Sequence, residues 1–187
     1  MSRRATVGGD ETVRLFVALL LPSRIAGELR SWGRRELAGG GRLLESFHVT
    51  VAFLGRRPRS DVGPVAELLR DRAARAASFR LAPLRYRETT SVGMLVLHDP
   101  SGGATRFATA VQLGLEGLGV YERERRRWLP HVTVLRFRER PRLAPSLPEI
   151  DPFAPSGAAA FLSHLHPSGA RYEVLEECPL GARQAGG

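Results

Sequence analysis

Apolar and polar residues along this chain fall into short stretches of strand length, broken by three stretches in which apolar positions recur every three or four residues. Residues 13–20 read as a strand. Pro22 and Ser23 then open a helix with Ile25, Leu29 and Trp32 on one side, ended by Gly39-Gly40-Gly41. Residues 47–54 return to a β-branched strand pattern. Ser60 is placed to cap a second helix through Arg75, with Val62, Val65, Leu68 and Leu69 on its inner side. Residues 79–85 and 92–97 follow as strands, with Asp99-Pro100-Ser101-Gly102-Gly103 as a turn. A third helix over 104–118 carries Phe107, Val111, Leu115 and Leu118 as its stripe. An arginine-rich connector, 121–127, leads into a strand from His131, and residues 141–155 form a proline-rich irregular loop. Residues 159–164 and 172–177 close the chain as a hairpin turned at His166-Pro167-Ser168-Gly169. This order predicts an α+β fold, its helices covering a mainly antiparallel sheet.

Two of these strands nearly repeat each other. His48-Val49-Thr50-Val51 returns as His131-Val132-Thr133-Val134, every residue displaced by 83 positions, and each copy ends in a basic turn with a proline, Pro58 or Pro141. In a strand, positions i and i+2 share a face. Each copy therefore aims one imidazole and one hydroxyl the same way, with its valines opposite. Unpaired buried polar groups are costly, so a polar pair on an apolar strand needs a reason. Having it twice predicts two pseudo-symmetric lobes around a central cleft.

Composition narrows the function without naming it. At 187 residues with 43% apolar content, the chain fits one globular domain, expected over 13–180 between tails at 1–12 and 181–187. No apolar run nears the roughly 20 residues that span a membrane, and residues 1–12 lack the apolar core of a signal peptide. The single cysteine, Cys178, excludes a disulfide framework or a cysteine zinc site and fits a reducing, cytoplasmic home. Lying beside Glu176 and Glu177, it reads as a small packing residue rather than a nucleophile. The formal charge is +9, and all 28 basic residues are arginine. A GC-rich codon bias explains the choice of arginine over lysine but not the excess of bases, which points to a polyanionic partner. Arg123, Arg125, Arg126 and Arg127 read as a solvated run that, lying just before His131, could guide phosphates; Trp128 reads as a core residue beside Leu129.

Two imidazoles across a cleft can divide acid and base work near neutrality, one taking a proton from water and the other giving one to a leaving oxygen. Neighbouring hydroxyls and an arginine can hold anionic oxygens. This suits hydrolysis of a phosphodiester without metal or cofactor. Neither motif has a carboxylate on its own face to complete a metal site. His98, His164 and His166 fall at turns or strand ends and read as surface residues.

The paired His-x-Thr-x motifs, Pro130 directly before His131, and the opening Leu15-Phe16-Val17-Ala18 strand resemble the 2H phosphoesterase superfamily, in particular the RNA 2′,3′-cyclic phosphodiesterases also called 2′-5′ RNA ligases. The resemblance runs over residues 13–180. It implies a bilobal α+β fold with both motifs in the cleft, and opening of RNA 2′,3′-cyclic phosphate ends to 2′-phosphates. It also implies His48 as proton donor, His131 as proton acceptor, and Thr50, Thr133 and Arg136 as phosphate-binding residues. The expected partner is RNA carrying such an end, bound by a monomer with no obligatory protein partner. Other readings are another activity of the superfamily, on 2′,5′-linked or other cyclic phosphates or in reversible ligation, and a non-catalytic nucleotide-binding module. Strand parity leaves Arg136 open. Counted regularly from His131 and Thr133, it falls on the opposite face, and it reaches the cleft only if the strand bulges, bends or ends there.

Overall fold

One antiparallel sheet, not two, carries both halves of the molecule. The computed structural model describes residues 11–164 and 171–181. Its strands are β1 (Thr12–Leu20), β2 (Arg42–Leu43), β3 (His48–Pro58), β4 (Ala82–Glu88), β5 (Val92–His98), β6 (His131–Arg136), β7 (Gly157–His164) and β8 (Arg171–Cys178). Its α-helices are α1 (Ser23–Glu36), α2 (Val62–Ala74) and α3 (Gly103–Gly117). The strands lie in the order β4-β5-β6-β3-β1-β7-β8, with β2 paired to β6. The expected α+β class with pseudo-symmetric halves is what forms. In each half a strand and a helix precede a histidine strand, β1-α1-β3 (with the short β2 before β3) and β5-α3-β6, and β3 meets β6 at the centre through the single pair Val49–Val132.

All three helices bury their apolar sides in one cluster with one face of the sheet. Ile25, Leu29 and Trp32 of α1, Val65 and Leu69 of α2, and Phe107, Val111 and Leu115 of α3 meet Val17, Leu19, Val49, Val51, Val132 and Val134 there. The alternate residues of β1 and β7, Phe16, Ala18, Ala159 and Phe161, form a second, smaller cluster. The period-2 alternation thus holds through the centre of the sheet, and one sheet face is left clear of the helical cluster.

The element boundaries depart from expectation at a few places. Ser60 does not cap α2. Pro58 starts a 3₁₀ turn over Arg59–Asp61 that runs into the helix, so the capping position falls on Asp61, which already has φ −74° and ψ −15° and makes no capping bond with its side chain. Leu118 is exposed, not part of the α3 stripe. Gly119, at φ +69°, closes the helix in a Schellman turn in which Gly119 N donates to Glu116 O and Val120 N to Leu115 O. Val120 takes the buried place instead. β2 was not expected; it enters beside β6 because Gly41, at φ +143°, has no Cβ to strike the Arg136 carbonyl. The turn at residues 166–169 lies outside the described residues.

Both histidine strands are bulged at equivalent places. Along β1 the partners step from Val17–Ala52 to Ala18–Thr50, leaving Val51 as an extra residue in β3. Along β5 they step from Gly93–Leu135 to Met94–Thr133, leaving Val134 extra in β6. A bulge leaves ladder groups without a strand partner. Here the Val51 carbonyl accepts from Gln112 Nε2 of α3 at 2.8 Å, and the Val134 carbonyl from the Leu44 backbone N–H at 3.0 Å. Gln112 is one of few buried polar side chains among the described residues. Replacing Gln112 with Leu should strand the buried Val51 carbonyl and lower unfolding free energy by about 1–3 kcal/mol. Urea unfolding checks this; an unchanged midpoint would remove Gln112 from the support of the bulge.

Candidate active site

The bulges decide which side chains share a face. Up to Thr50 and Thr133 the strands alternate regularly, and His48, Thr50, His131 and Thr133 are partly exposed while their valines are buried. After the extra residue the alternation resumes out of step, so Val51-Ala52 and Val134-Leu135 are buried as consecutive pairs. The next residue in each strand, Phe53 or Arg136, returns to the side of the histidine and threonine. Arg136 therefore reaches the cleft by the bulge that regular counting lacks. One step either side of Val49–Val132, antiparallel register sets His48 against Thr133 and Thr50 against His131.

This face holds a groove in two parts. The larger, about 800 Å³, is lined by Arg14, Phe16, Arg42, Glu45, Ser46, His48, Thr50, Phe53, Thr133, Arg136, Ser163 and Tyr172, among others. The smaller, about 450 Å³, is lined by Arg87, Met94, Gln112, Tyr121, Glu124, Arg126, Arg127, Trp128, Leu129 and His131, among others. Thr50 and Phe53 border both. The five residues expected at the site thus all line one groove, His48, Thr133 and Arg136 in one part and His131 in the other.

The two imidazoles are held differently. His131 Nδ1 lies 2.8 Å from the Leu129 carbonyl, which can only accept. Nδ1 therefore carries the proton, and the neutral ring presents the Nε2 lone pair. His48 is packed among rings instead. Phe16 and Tyr172 lie 5.1 and 5.3 Å away between centroids, the latter edge-on, and Phe161 at 6.1 Å. Burial, then His131 whenever it is itself protonated, and then the Arg136 charge lower the His48 pKa from 6.5 to about 4. Trp128 fixes the site's floor, packing on the core as expected while its indole N–H donates to the Thr50 carbonyl at 2.9 Å.

Other histidines stand apart: His98 ends β5 exposed, exposed His164 lies 3.2 Å from Glu173, and His166 lies outside the described residues. Among the described residues no three His, Cys, Asp or Glu side chains gather as metal ligands. No described helix is long and apolar enough to cross a membrane. Cys178 is buried at the end of β8, its thiol pKa pushed up by burial and by Glu176. Sequence reasoning missed Arg14, Phe53, Ser163 and Tyr172. The apolar doublets Val51-Ala52 and Val134-Leu135 could have marked the bulges. The partners of β1 and β8 could not be read from local pattern.

Compared by sequence, the chain matches no protein-family model and no curated protein. Compared by structure, it is similar to E. coli LigT in complex with 3′-AMP, with a TM-score of 0.77 and 22% identity over 91% of this chain and 99% of that one. TT0787 of Thermus thermophilus superposes with a TM-score of 0.76 and 26% identity over 91% of this chain and all of its own. A protein described as a phosphoesterase gives 0.76 and 21%, over 91% and 99%. At 21–26% identity, the likeness to these three structures is one of fold.

The charges around His48 make a titration the direct check. The His48 ring protons should titrate near pH 4 by NMR, and Arg136→Gln should move that midpoint upward, because it removes a positive charge that opposes the imidazolium. Burial, the largest cause, remains, so the midpoint should stay below 6.5. A wild-type midpoint at or above 6.5 would show that the ring is neither desolvated nor opposed by charge.

Proposed function

We propose that this chain, which has the 2H phosphoesterase fold, hydrolyses 2′,3′-cyclic phosphate ends of RNA to 2′-phosphomonoesters. One observation carries the reading: two imidazoles, two threonine hydroxyls and the Arg136 guanidinium, from strands distant in sequence, line one groove around a single strand-to-strand pair. Opening a cyclic phosphodiester needs a proton taken from water, a proton given to the departing oxygen, and donors for the charged oxygens between. The site offers each in one place. The structural neighbour LigT, solved with 3′-AMP, with NADP+, with phosphate and with ATP, supports a phosphate-bearing ligand.

In the reaction His131 Nε2, whose lone pair is exposed by the Nδ1 bond to Leu129, accepts a proton from water as the water oxygen bonds to phosphorus. The bond from phosphorus to the 3′ oxygen breaks, and His48 protonates that oxygen. Thr50, Thr133 and Arg136 hold the two non-bridging oxygens. His48 is neutral in the empty groove at neutral pH, so its proton must be taken up along with the substrate. The substrate's negative charge favours this by countering the charges that depress the ring.

The lowered His48 pKa favours a second reading, with the proton roles exchanged, because a neutral ring is ready to act as base. A substrate whose leaving 3′ oxygen is replaced by sulfur separates the two, since sulfur departs without a proton. If His48 is the acid, His48→Ala should recover most of its rate on that substrate and His131→Ala should not; the reverse pattern exchanges the roles.

On the natural cyclic phosphate each His→Ala substitution should lower kcat by about 10²- to 10⁴-fold. Hydrolysis should persist in EDTA and leave the 2′-phosphate, as read by chromatography of an oligonucleotide bearing the cyclic end. Retained turnover in His131→Ala, or turnover lost to chelator and restored by a divalent ion, would overturn the mechanism.

A further inference from the structure

We infer that Arg14 binds a second phosphate of the substrate, the phosphodiester on the 5′ side of the terminal nucleoside, so that the groove is built for oligonucleotide ends over cyclic mononucleotides. The inference rests on the proposed phosphodiesterase reading and adds the substrate class.

Pseudo-symmetry is where the argument starts. The residue that returns to the groove after the bulge is Arg136 in β6 and Phe53 in β3, so one half supplies a guanidinium and the other a ring. A guanidinium is nevertheless present in the second half. Arg14 of β1 lies with its guanidinium carbon 5.3 Å from the centroid of the Phe53 ring and lines the same part of the groove as His48 and Arg136. Stacking on the ring holds the guanidinium in place without using its N–H donors.

One of those donors is left over. Among the described residues, Arg14 Nε is buried without a hydrogen bond. Arg14 differs here from Arg57, paired with Asp61, and Arg140, paired with Glu88. A buried, unmatched donor is costly. Nε is closed to the groove, but Arg14 lines it and no carboxylate among the described residues is paired with its charge there, so an anionic ligand would meet that guanidinium.

Register says which anion. Ala18 of β1 pairs with Thr50, and Arg14 pairs with Arg56. Four residues of strand separate those levels, roughly 13 Å at about 3.3 Å per residue. The side chain leans back along the strand only as far as Phe53, which pairs with Phe16, two residues or roughly 7 Å short of the Thr50 level. The guanidinium is thus held beside Phe53, while Arg136 stands next to Thr133 on the other histidine strand, and an anion on Arg14 is displaced along the groove from the one between the threonines. The direction fits the reaction. His48 protonates the leaving 3′ oxygen, so the ribose and the RNA upstream of it lie across the sheet from His131, on the β3 and β1 side of the groove, where Arg14 stands. Phe16, which packs on His48, lies between Ala18 and Arg14 on the same face of β1. The next charge along an RNA strand from that ribose is the 5′ phosphodiester.

The test compares kcat/KM for a nucleoside 2′,3′-cyclic phosphate, a dinucleotide ending in the same group, and that dinucleotide with a neutral methylphosphonate linkage. Wild-type protein should favour the charged dinucleotide over the mononucleotide, and Arg14→Gln should cut that ratio by about 10- to 100-fold, the range for a charged hydrogen bond. The neutral linkage should lower the ratio in wild type and make Arg14→Gln nearly silent. Arg14→Lys, which keeps the charge, should restore part of the ratio; this separates lost charge from lost folding. An unchanged ratio in Arg14→Gln, or an equal loss with the neutral linkage, overturns the inference. If wild-type protein opens neither cyclic substrate, the phosphodiesterase reading fails by itself. Fluorescence titration with a 3′-phosphorylated dinucleotide then reads Arg14, and an unchanged Kd in Arg14→Gln overturns the inference there too.

Discussion

The two halves of the sheet touch through one backbone pair, Val49 against Val132, and the groove is indexed to it. Both valines are buried on the helical side, which forces their flanking residues to the other face. A one-residue slip between β3 and β6 would turn one set of polar side chains into the core. A single pair is too little to prevent that. The register is held by groups outside the ladder: Trp128 Nε1 on the Thr50 carbonyl, Gln112 on Val51, and the Leu44 N–H on Val134. Each bonds a carbonyl on or beside a bulge. The alignment of the two motifs is thus secured by α3, by the connector before β6 and by the residue that follows β2.

The bulges explain why some of the site was legible in the sequence and some was not. His48, Thr50, His131 and Thr133 precede the extra residue, so simple alternation places them correctly, and the duplication makes them conspicuous. Arg136 follows it, and regular counting puts it on the wrong face. Two consecutive buried residues are the trace a bulge leaves. That trace is present in both copies, but it reads as ordinary apolar sequence unless the copies are compared. Arg14 and Tyr172 depend on which strands become neighbours. Nothing local to residues 12–20 or 171–178 records that β7 and β8 extend the β1 edge, not the β5 edge. Helix ends were lost in the same way, since the 3₁₀ turn before α2 and the Schellman turn after α3 arise from Pro58 and Gly119 acting with their neighbours.

Charge was legible as a sum but not as a pattern. Many arginines form exposed ion pairs with nearby acids, such as Arg24 with Glu28 and Arg75 with Asp71, each contributing little to stability. The groove has a different balance. Arg14, Arg42, Arg136, Arg87, Arg126 and Arg127 line its two parts, against Glu45 and Glu124. A concave face with that balance concentrates positive potential and draws in polyanions. The codon bias that made every base an arginine does not account for where these six stand.

His48 raises the one electrostatic difficulty in the site. The aromatic packing that orients its ring also desolvates it, and Arg136, with His131 whenever that ring is protonated, adds charge of the wrong sign for an imidazolium. A carboxylate beside the ring would orient it and keep it protonated. It would also place a negative charge where an anionic substrate must sit, and compete for Arg136. Rings orient the imidazole without either effect, at the expense of its proton. An anionic ligand returns what the protein leaves out: its charge offsets Arg136 and stabilises the imidazolium in a site too dry for water to screen the interaction. The acid is then assembled only when the phosphate is in place, and the same contact that binds the substrate charges the group that acts on it.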